Sequence, residues 1–420
     1  MKKILVCLLV LACVMPLCMA EEYQLEQVVV LSRHNIRSPL SNADSLLGRI
    51  TPHTWFDWTS DSSELSMRGG VLETIMGQYF QKYLVQQGLI PKNWIPEDGE
   101  ARFYANSLQR TITSARYFAS GMLPLANAEV EYHCDINTMD AVFIPQITFL
   151  SDAFEEQVRE ELAASDFTVG ISDNFALLEE VLDFADSAYA KENSTEHIAP
   201  DDAKLVFSMY AEPKIVGGLS TACSGSDALV LQYYEEEDDA KAAFGHVLTE
   251  EEWASLAHIT DTYGKFLVGT RSVAVNVAHP LLMELRGELT EAGRKFSFLC
   301  GHDSNLCSVL TALRAEEYEL PNSLLQVAPI GSKLTIEKWK NAQGEEYVTV
   351  SMIYQSTEQL RNCTMLDLNT PPMCVRLQFK GLERNADGMY RLEDILNRFD
   401  EAIAAYDELP RDAEDAEEAA

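Results

Sequence analysis

A strand-like run that stops abruptly at charged residues occurs three times in this sequence, and it constrains the fold more than any other feature. Residues 27–31 (QVVVL) are a short continuous apolar run rich in β-branched side chains, as in a strand buried on both faces. The run ends in Ser32-Arg33-His34-Asn35-Ile36-Arg37-Ser38-Pro39. Residues 102–105 (RFYA) read as a second strand. Asn106 or Ser107 is then placed to cap a helix over 108–122 that carries Arg110 in its first turn. Residues 295–300 (KFSFLC) are a third strand, followed by Gly301-His302-Asp303-Ser304-Asn305 and a helix over 305–313. Strand–helix alternation of this kind implies an α/β sheet. In open α/β sheets ligands bind beyond the carboxyl ends of strands, where all three charged turns fall.

Other patterns fill in around that sheet. Apolar residues at Met67, Val71, Leu72, Ile75, Met76, Tyr79, Phe80 and Leu84 recur at helical spacing and predict a long helix over 66–87. Residues 334–339 and 347–354 alternate as paired strands around Asn341-Ala342-Gln343-Gly344, a hairpin signal. From 147 to 265 the periodicity is mainly helical, as over 153–164 and 250–268, and acids are frequent. The expected organisation is a discontinuous α/β domain over 21–146 and 266–410. A smaller, mainly helical, substrate-side domain over 147–265 interrupts it, and an acidic tail over 411–420 follows it.

Composition narrows the partners. Lys and Arg number 32 against 66 Asp and Glu, a formal charge of −34. That disfavours nucleic acid and anionic membrane surfaces, which need basic patches. Residues 1–20 read as a cleaved secretory signal: Met1-Lys2-Lys3, an apolar run over 4–17, then Cys18-Met19-Ala20 before Glu21-Glu22. Cleavage removes Lys2 and Lys3 and leaves −36. The expected location is periplasmic or secreted, with no membrane partner after cleavage. Six of the nine cysteines remain, namely Cys134, Cys223, Cys300, Cys307, Cys363 and Cys374. An even count suits disulfides in an exported chain, and Cys363 and Cys374, flanking Pro371-Pro372, are the best-placed pair. No C-x-x-C, H-E-x-x-H, G-x-S-x-G, P-loop or G-x-G-x-x-G spacing occurs, so neither a metal nor an organic cofactor is expected. Oligomeric state is not legible.

The three charged turns together describe one site. Two arginines flanking His34 set two planar, permanently charged forks around an imidazole, which suits a phosphate. Arg110 adds a guanidinium at a helix start, where backbone N–H groups also favour an anion. His302 and Asp303 contribute a second imidazole and a carboxyl. Singly, each has an ordinary explanation. His34 could be a solvated loop histidine, Arg33 and Arg37 could pair with the abundant surface acids, and Asp303 could be only a helix N-cap. Those explanations give no reason for all of them to stand at strand ends.

Arg33-His34-Asn35-x-Arg37-x-Pro39 resembles the RH(G/N)xRxP signature of the histidine acid phosphatases, and His302-Asp303 resembles their downstream HD pair. Residues 24–40, 104–111 (YANSLQRT), 301–305 (GHDSN) and 353–362 (IYQSTEQLRN) look like the bacterial periplasmic glucose-1-phosphatase branch, with phytases as more distant cousins. The resemblance implies a central, mostly parallel sheet flanked by helices, with a smaller inserted helical domain. It also implies hydrolysis of small phosphomonoesters such as glucose 1-phosphate, with phytate as the alternative substrate. His34 matches the nucleophile that becomes a phosphohistidine, and Asp303 matches the proton donor to the leaving oxygen. Arg33, Arg37, Arg110 and His302 match the phosphate-binding shell. Glu212, in Ala211-Glu212-Pro213, is similar to the acid that narrows the substrate entrance, although it could equally be one more solvated acid. Leu382 and Tyr390 stand where phytase relatives have cysteines, so their disulfides are not carried over. A non-catalytic sugar-phosphate binding protein would reuse the same arginines.

Overall fold

The structure, a computed structural model, describes residues 23–41, 45–200 and 202–412. The segment read as a signal and nearly all of the acidic tail lie outside the described residues. The chain begins with β1 (Tyr23–Arg33), α1 (Met67–Gln86), β2 (Ala101–Ala105) and α2 (Gln109–Met122). A mainly helical stretch follows: α3 (Asp152–Ala164), α4 (Ile171–Leu182), α5 (Ala188–Asn193), the hairpin β3 (Lys204–Val206) and β4 (Lys214–Val216), α6 (Gly218–Glu235), α7 (Asp239–Ala242) and α8 (Glu250–Val268). The chain then returns through α9 (Arg271–Thr290), β5 (Phe296–Gly301), α10 (Asp303–Ala312), β6 (Lys333–Asn341), β7 (Glu346–Tyr354) and α11 (Thr357–Arg361). It finishes with β8 (Met373–Arg376), β9 (Tyr390–Arg391) and α12 (Leu392–Ala404).

The main sheet runs β2-β5-β1-β6-β7-β8, with β9 also paired to β7. Its parallel part is the trio β2, β5 and β1, and β6 to β9 extend it as antiparallel strands. Register matters more than strand count for function. Arg33 stands beside Gly301 and Ala105 beside Cys300, so the three parallel strands end level and their charged turns emerge at one edge. Side chains alternate along β1 as the pleat requires. Val29 and Leu31 join one core with α9, α10 and α12, and Val28 and Val30 join another with α1 and α2. Cys300, buried in β5, belongs to the second of these and is a packing residue. A third core gathers Phe175 and Leu178 of α4, Leu229 of α6, and Trp253 and Leu256 of α8. Helix α3 packs with α9 in the first core instead, and α8 and α9 meet at an 83° bend.

Helices α1 and α2 cross with almost no room between backbones. A Cβ on Gly77 would lie 2.2 Å from Phe118 O, and one on Gly121 would lie 2.2 Å from Thr74 O. Gly77→Ala is therefore expected to cost about 1–3 kcal/mol through overpacking. It should lower the urea midpoint at unchanged m-value, and an unmoved midpoint would contradict this account of the crossing.

Two local expectations are corrected. All six cysteines among the described residues are free thiols, so Cys363 and Cys374 do not pair. Cys363, at φ +45, presents Sγ to Arg68 Nη1 at 3.4 Å, whereas Cys374 sits in β8 opposite Ile353 with its thiol against Ser351. The N-cap of α2 is Leu108, with no side-chain cap, rather than Asn106 or Ser107. Asn106 is committed elsewhere.

Candidate active site

The level carboxyl ends of β1, β2 and β5 open on one cleft of about 290 Å³, lined by Arg33, His34, Arg37, Arg110, His302 and Asp303. All six residues named from the strand-end turns converge there, and Glu212, from the β3–β4 connection, lines the same cleft.

His34 leaves β1 with its N–H donating to Gly301 O at 3.0 Å, so the end of β5 sets its place. Its Nδ1 lies 2.8 Å from Asn35 O. A carbonyl only accepts, so Nδ1 carries the ring proton and, in the neutral ring, Nε2 keeps its lone pair. Burial holds this imidazole well below its ordinary pKa, with Arg110, His302, Arg37 and Arg33 adding to the effect. The lone pair therefore persists in mild acid.

His302 is set by Asn106. The Asn106 Oδ1 accepts from the N–H groups of Ser107 and Asp140 at 2.8 and 2.9 Å, which turns Nδ2 toward His302 Nε2 at 2.7 Å. The amide donates, so the proton of the neutral His302 ring is on Nδ1. Burial and Arg110 keep this ring well below its ordinary pKa as well, with Asp303 opposing them. The two imidazoles meet edge to face, centroids 5.5 Å apart.

The guanidiniums are held from behind. Arg33, 2% exposed, donates through Nη1 to Ala328 O at 2.6 Å and pairs through Nη2 with Asp303 Oδ2 at 2.9 Å. Arg37 donates to Ser38 O at 3.1 Å and to Asp227 Oδ2 at 3.0 Å. Burial and the neighbouring Arg37 push Arg110 down to about 10, against the pull of Asp303, Glu212 and Asp227. It remains a cation at any pH relevant here. In all three arginines the Nε–H is buried without a hydrogen-bond partner. Three guanidinium charges lining one cleft suit it to an anion.

Asp303 opens α10 as its first residue, and the N-cap position belongs to His302. Its Oδ1 accepts from Ser304 N–H at 2.8 Å, and its side chain is 47% exposed. Enclosure by itself would raise the carboxyl, but Arg33, then His302, Arg37 and the Ser304 N–H outweigh it and hold Asp303 below its ordinary value. Glu212 is exposed on the rim. The protein around it lifts its carboxyl and Arg110 opposes the shift.

Several residues of the cleft were not legible beforehand. Asp227 of α6 pairs with Arg37. Asp261 of α8 accepts from the N–H groups of Gln326 and Val327 at 2.6 and 3.1 Å. That contact pins the loop whose next carbonyl, Ala328, takes Arg33. Burial lifts Asp261 to about 6. Among 66 acids, nothing in their local patterns distinguishes these two. Asn106 carries a signal, since it follows a strand end directly, but the same position also suits a helix cap.

Comparison with known proteins agrees with this geometry. The histidine phosphatase superfamily (branch 2) pattern matches residues 24–354. A glucose-1-phosphatase of Salmonella typhimurium is 36% identical over 383 residues, 90% of this chain and 92% of the relative. Phytase AppA of Escherichia coli (strain K12) is 28% identical over 407 residues, 91% of this chain and 92% of the relative. The solved phytase from Citrobacter braakii superposes with a TM-score of 0.82 at 26% identity, covering 92% of this chain and 98% of that one.

Proposed function

The chain belongs to the histidine phosphatase superfamily (branch 2) and is a phosphoric monoester hydrolase; we propose that it removes the phosphate from monophosphorylated sugars such as glucose 1-phosphate. The observation that carries this reading is the bare Nε2 lone pair of His34 in a cleft lined by the three guanidiniums of Arg33, Arg37 and Arg110. A phosphomonoester dianion resists nucleophiles until its oxygens are neutralised, and three guanidiniums with the His302 ring supply that without a proton transfer. His34 Nε2 then attacks phosphorus while the bond to the ester oxygen breaks, and Asp303 gives its proton to the departing oxygen. Water next attacks the phosphohistidine and loses a proton to the Asp303 carboxylate. Breaking the P–N bond frees phosphate and restores His34.

The surroundings of the cradle support one phosphate rather than several. Among the described residues no lysine lines the cleft, whereas Glu212, Asp227, Asp261 and Asp303 do. A second or third phosphate would meet the carboxylates of Glu212 and Asp227, while sugar hydroxyls would find acceptors in them. The helical part over 147–265 supplies three of these four acids and acts as the substrate-side domain.

The test is a kcat/KM panel of glucose 1-phosphate, phytate and p-nitrophenyl phosphate at a pH of about 4.5–5, with and without EDTA. Glucose 1-phosphate is expected to exceed phytate by about tenfold or more, about 1.4 kcal/mol of discrimination, with EDTA making no difference. A preference for phytate would assign the chain to the alternative activity. Absence of turnover for all three esters, together with no acid-labile phosphohistidine, would leave only a binding protein. The reading includes export to the periplasm or medium on the strength of residues 1–20, which cell fractionation checks directly.

A further inference from the structure

Behind His34 lies a buried ion pair that the phosphate chemistry does not use. Glu73 of α1 and Lys333 of β6 meet at 2.8 Å with both side chains fully buried. Lys333 also donates to Gly331 O at 2.7 Å, and its Nζ lies 5.8 and 5.6 Å from the ring centres of Phe118 and Phe298. Glu73 Oε1 accepts a second bond, from Asn35 Nδ2 at 3.0 Å. Asn35 is itself oriented by Ile36 N–H donating to its Oδ1 at 2.9 Å. Its main-chain carbonyl takes the His34 Nδ1–H, and Gly331 N–H donates to His34 O at 3.1 Å. The bonds close a circuit: ring and carbonyl of His34 are both tied to one ion pair, by way of Asn35 on one side and Gly331 on the other. Gly331 fits because its φ is +68 and a Cβ there would lie 2.3 Å from Asn35 Nδ2.

Stability is a weak reason to keep such a pair, since apolar side chains of similar volume often serve as well or better. Geometry offers another reason. We propose that Glu73 and Lys333 are positioning residues which, through Asn35 and Gly331, hold His34 in the tautomer and orientation that aim a bare Nε2 at phosphorus. This rests on His34 being the nucleophile. A ring released from Asn35 O also populates the Nε2–H tautomer, which has no lone pair to attack with.

Two variants separate positioning from folding. Glu73→Met with Lys333→Met removes both charges at similar volume, so the fold is expected to survive, checked by thermal melting. Asn35→Ala leaves the ion pair in place and cuts the Asn35 side of the circuit, together with the Oδ1 bond from Ile36 N–H, and it decides the matter if the double variant does not fold. Both are expected to lose about 100-fold in kcat, as misplacement of a reacting group does, with KM and the Ki of inorganic phosphate held within about threefold. In 15N-histidine-labelled protein, the His34 ring signals, assigned by their absence in His34→Ala, should move from a single Nδ1–H tautomer toward a mixture. A folded variant with kcat within about threefold of the parent, or an unchanged His34 tautomer, overturns the proposal. Absence of phosphate trapped on His34 in the unmodified protein would instead overturn the nucleophile assignment, so the two failures are distinguishable.

Discussion

Alanine in place of His34 is expected to lower turnover of every phosphomonoester by at least about 10,000-fold, the scale seen when a covalent nucleophile is removed. Arg33, Arg37, Arg110 and His302 stay behind in this variant and still line the cleft. Inorganic phosphate should therefore remain a competitive ligand, measured by equilibrium binding, while acid-quenched labelling with a radioactive ester yields no phosphoprotein. A variant turning over within about 100-fold of the parent would show that the hydrolysis does not pass through this imidazole.

Asp303→Asn is the second large effect, and its size should depend on the leaving group. An amide cannot deliver the proton a sugar oxygen needs, so sugar phosphates are expected to slow by about 100- to 10,000-fold. p-Nitrophenolate leaves without help, and its ester should slow much less. Equal slowing of both would remove Asp303 from the proton-donor role. The pH dependence follows from the ion pair with Arg33. In the free cleft the Asp303 carboxyl lies below its ordinary value and is ionised in mild acid, the wrong state for an acid catalyst. A bound phosphate draws on the Arg33 charge and adds negative charge beside the carboxylate, so the pKa of Asp303 rises on binding and it takes up a proton. As pH increases, kcat should fall when Asp303 ionises in the complex, and kcat/KM should fall near the second ionisation of the ester, at about 6. Asp303→Asn should flatten the kcat limb for sugar phosphates.

Much of this site could be read from short stretches of chain. Strand β1 and the helices over Met67–Gln86 and Glu250–Val268 follow from periodicity that each segment carries within itself. The strand-end rule picks out Arg33, His34, Arg37, Arg110, His302 and Asp303 from sequence alone, and the parallel register of β1, β2 and β5 brings their turns to one edge. Asn106 shows where local reading stops. A polar residue just before a helix looks like a cap, yet its oxygen is claimed by the N–H of Asp140 and its amide by His302, 196 residues away.

Side-chain chemistry at the turns, and the strands that present it, were thus written into the sequence itself, because pleat and helix periods act between near neighbours. Which atom each polar group bonds was decided only by the folded molecule. Glu73 and Lys333 lie 260 positions apart and meet through the packing of α1 against the sheet. Asp227 and Asp261 look like any other helical acid until α6 and α8 turn them toward Arg37 and the loop behind Arg33. Burial makes these choices binding: away from water a polar atom must find its partner within the protein, and only three-dimensional proximity determines which partners are within reach.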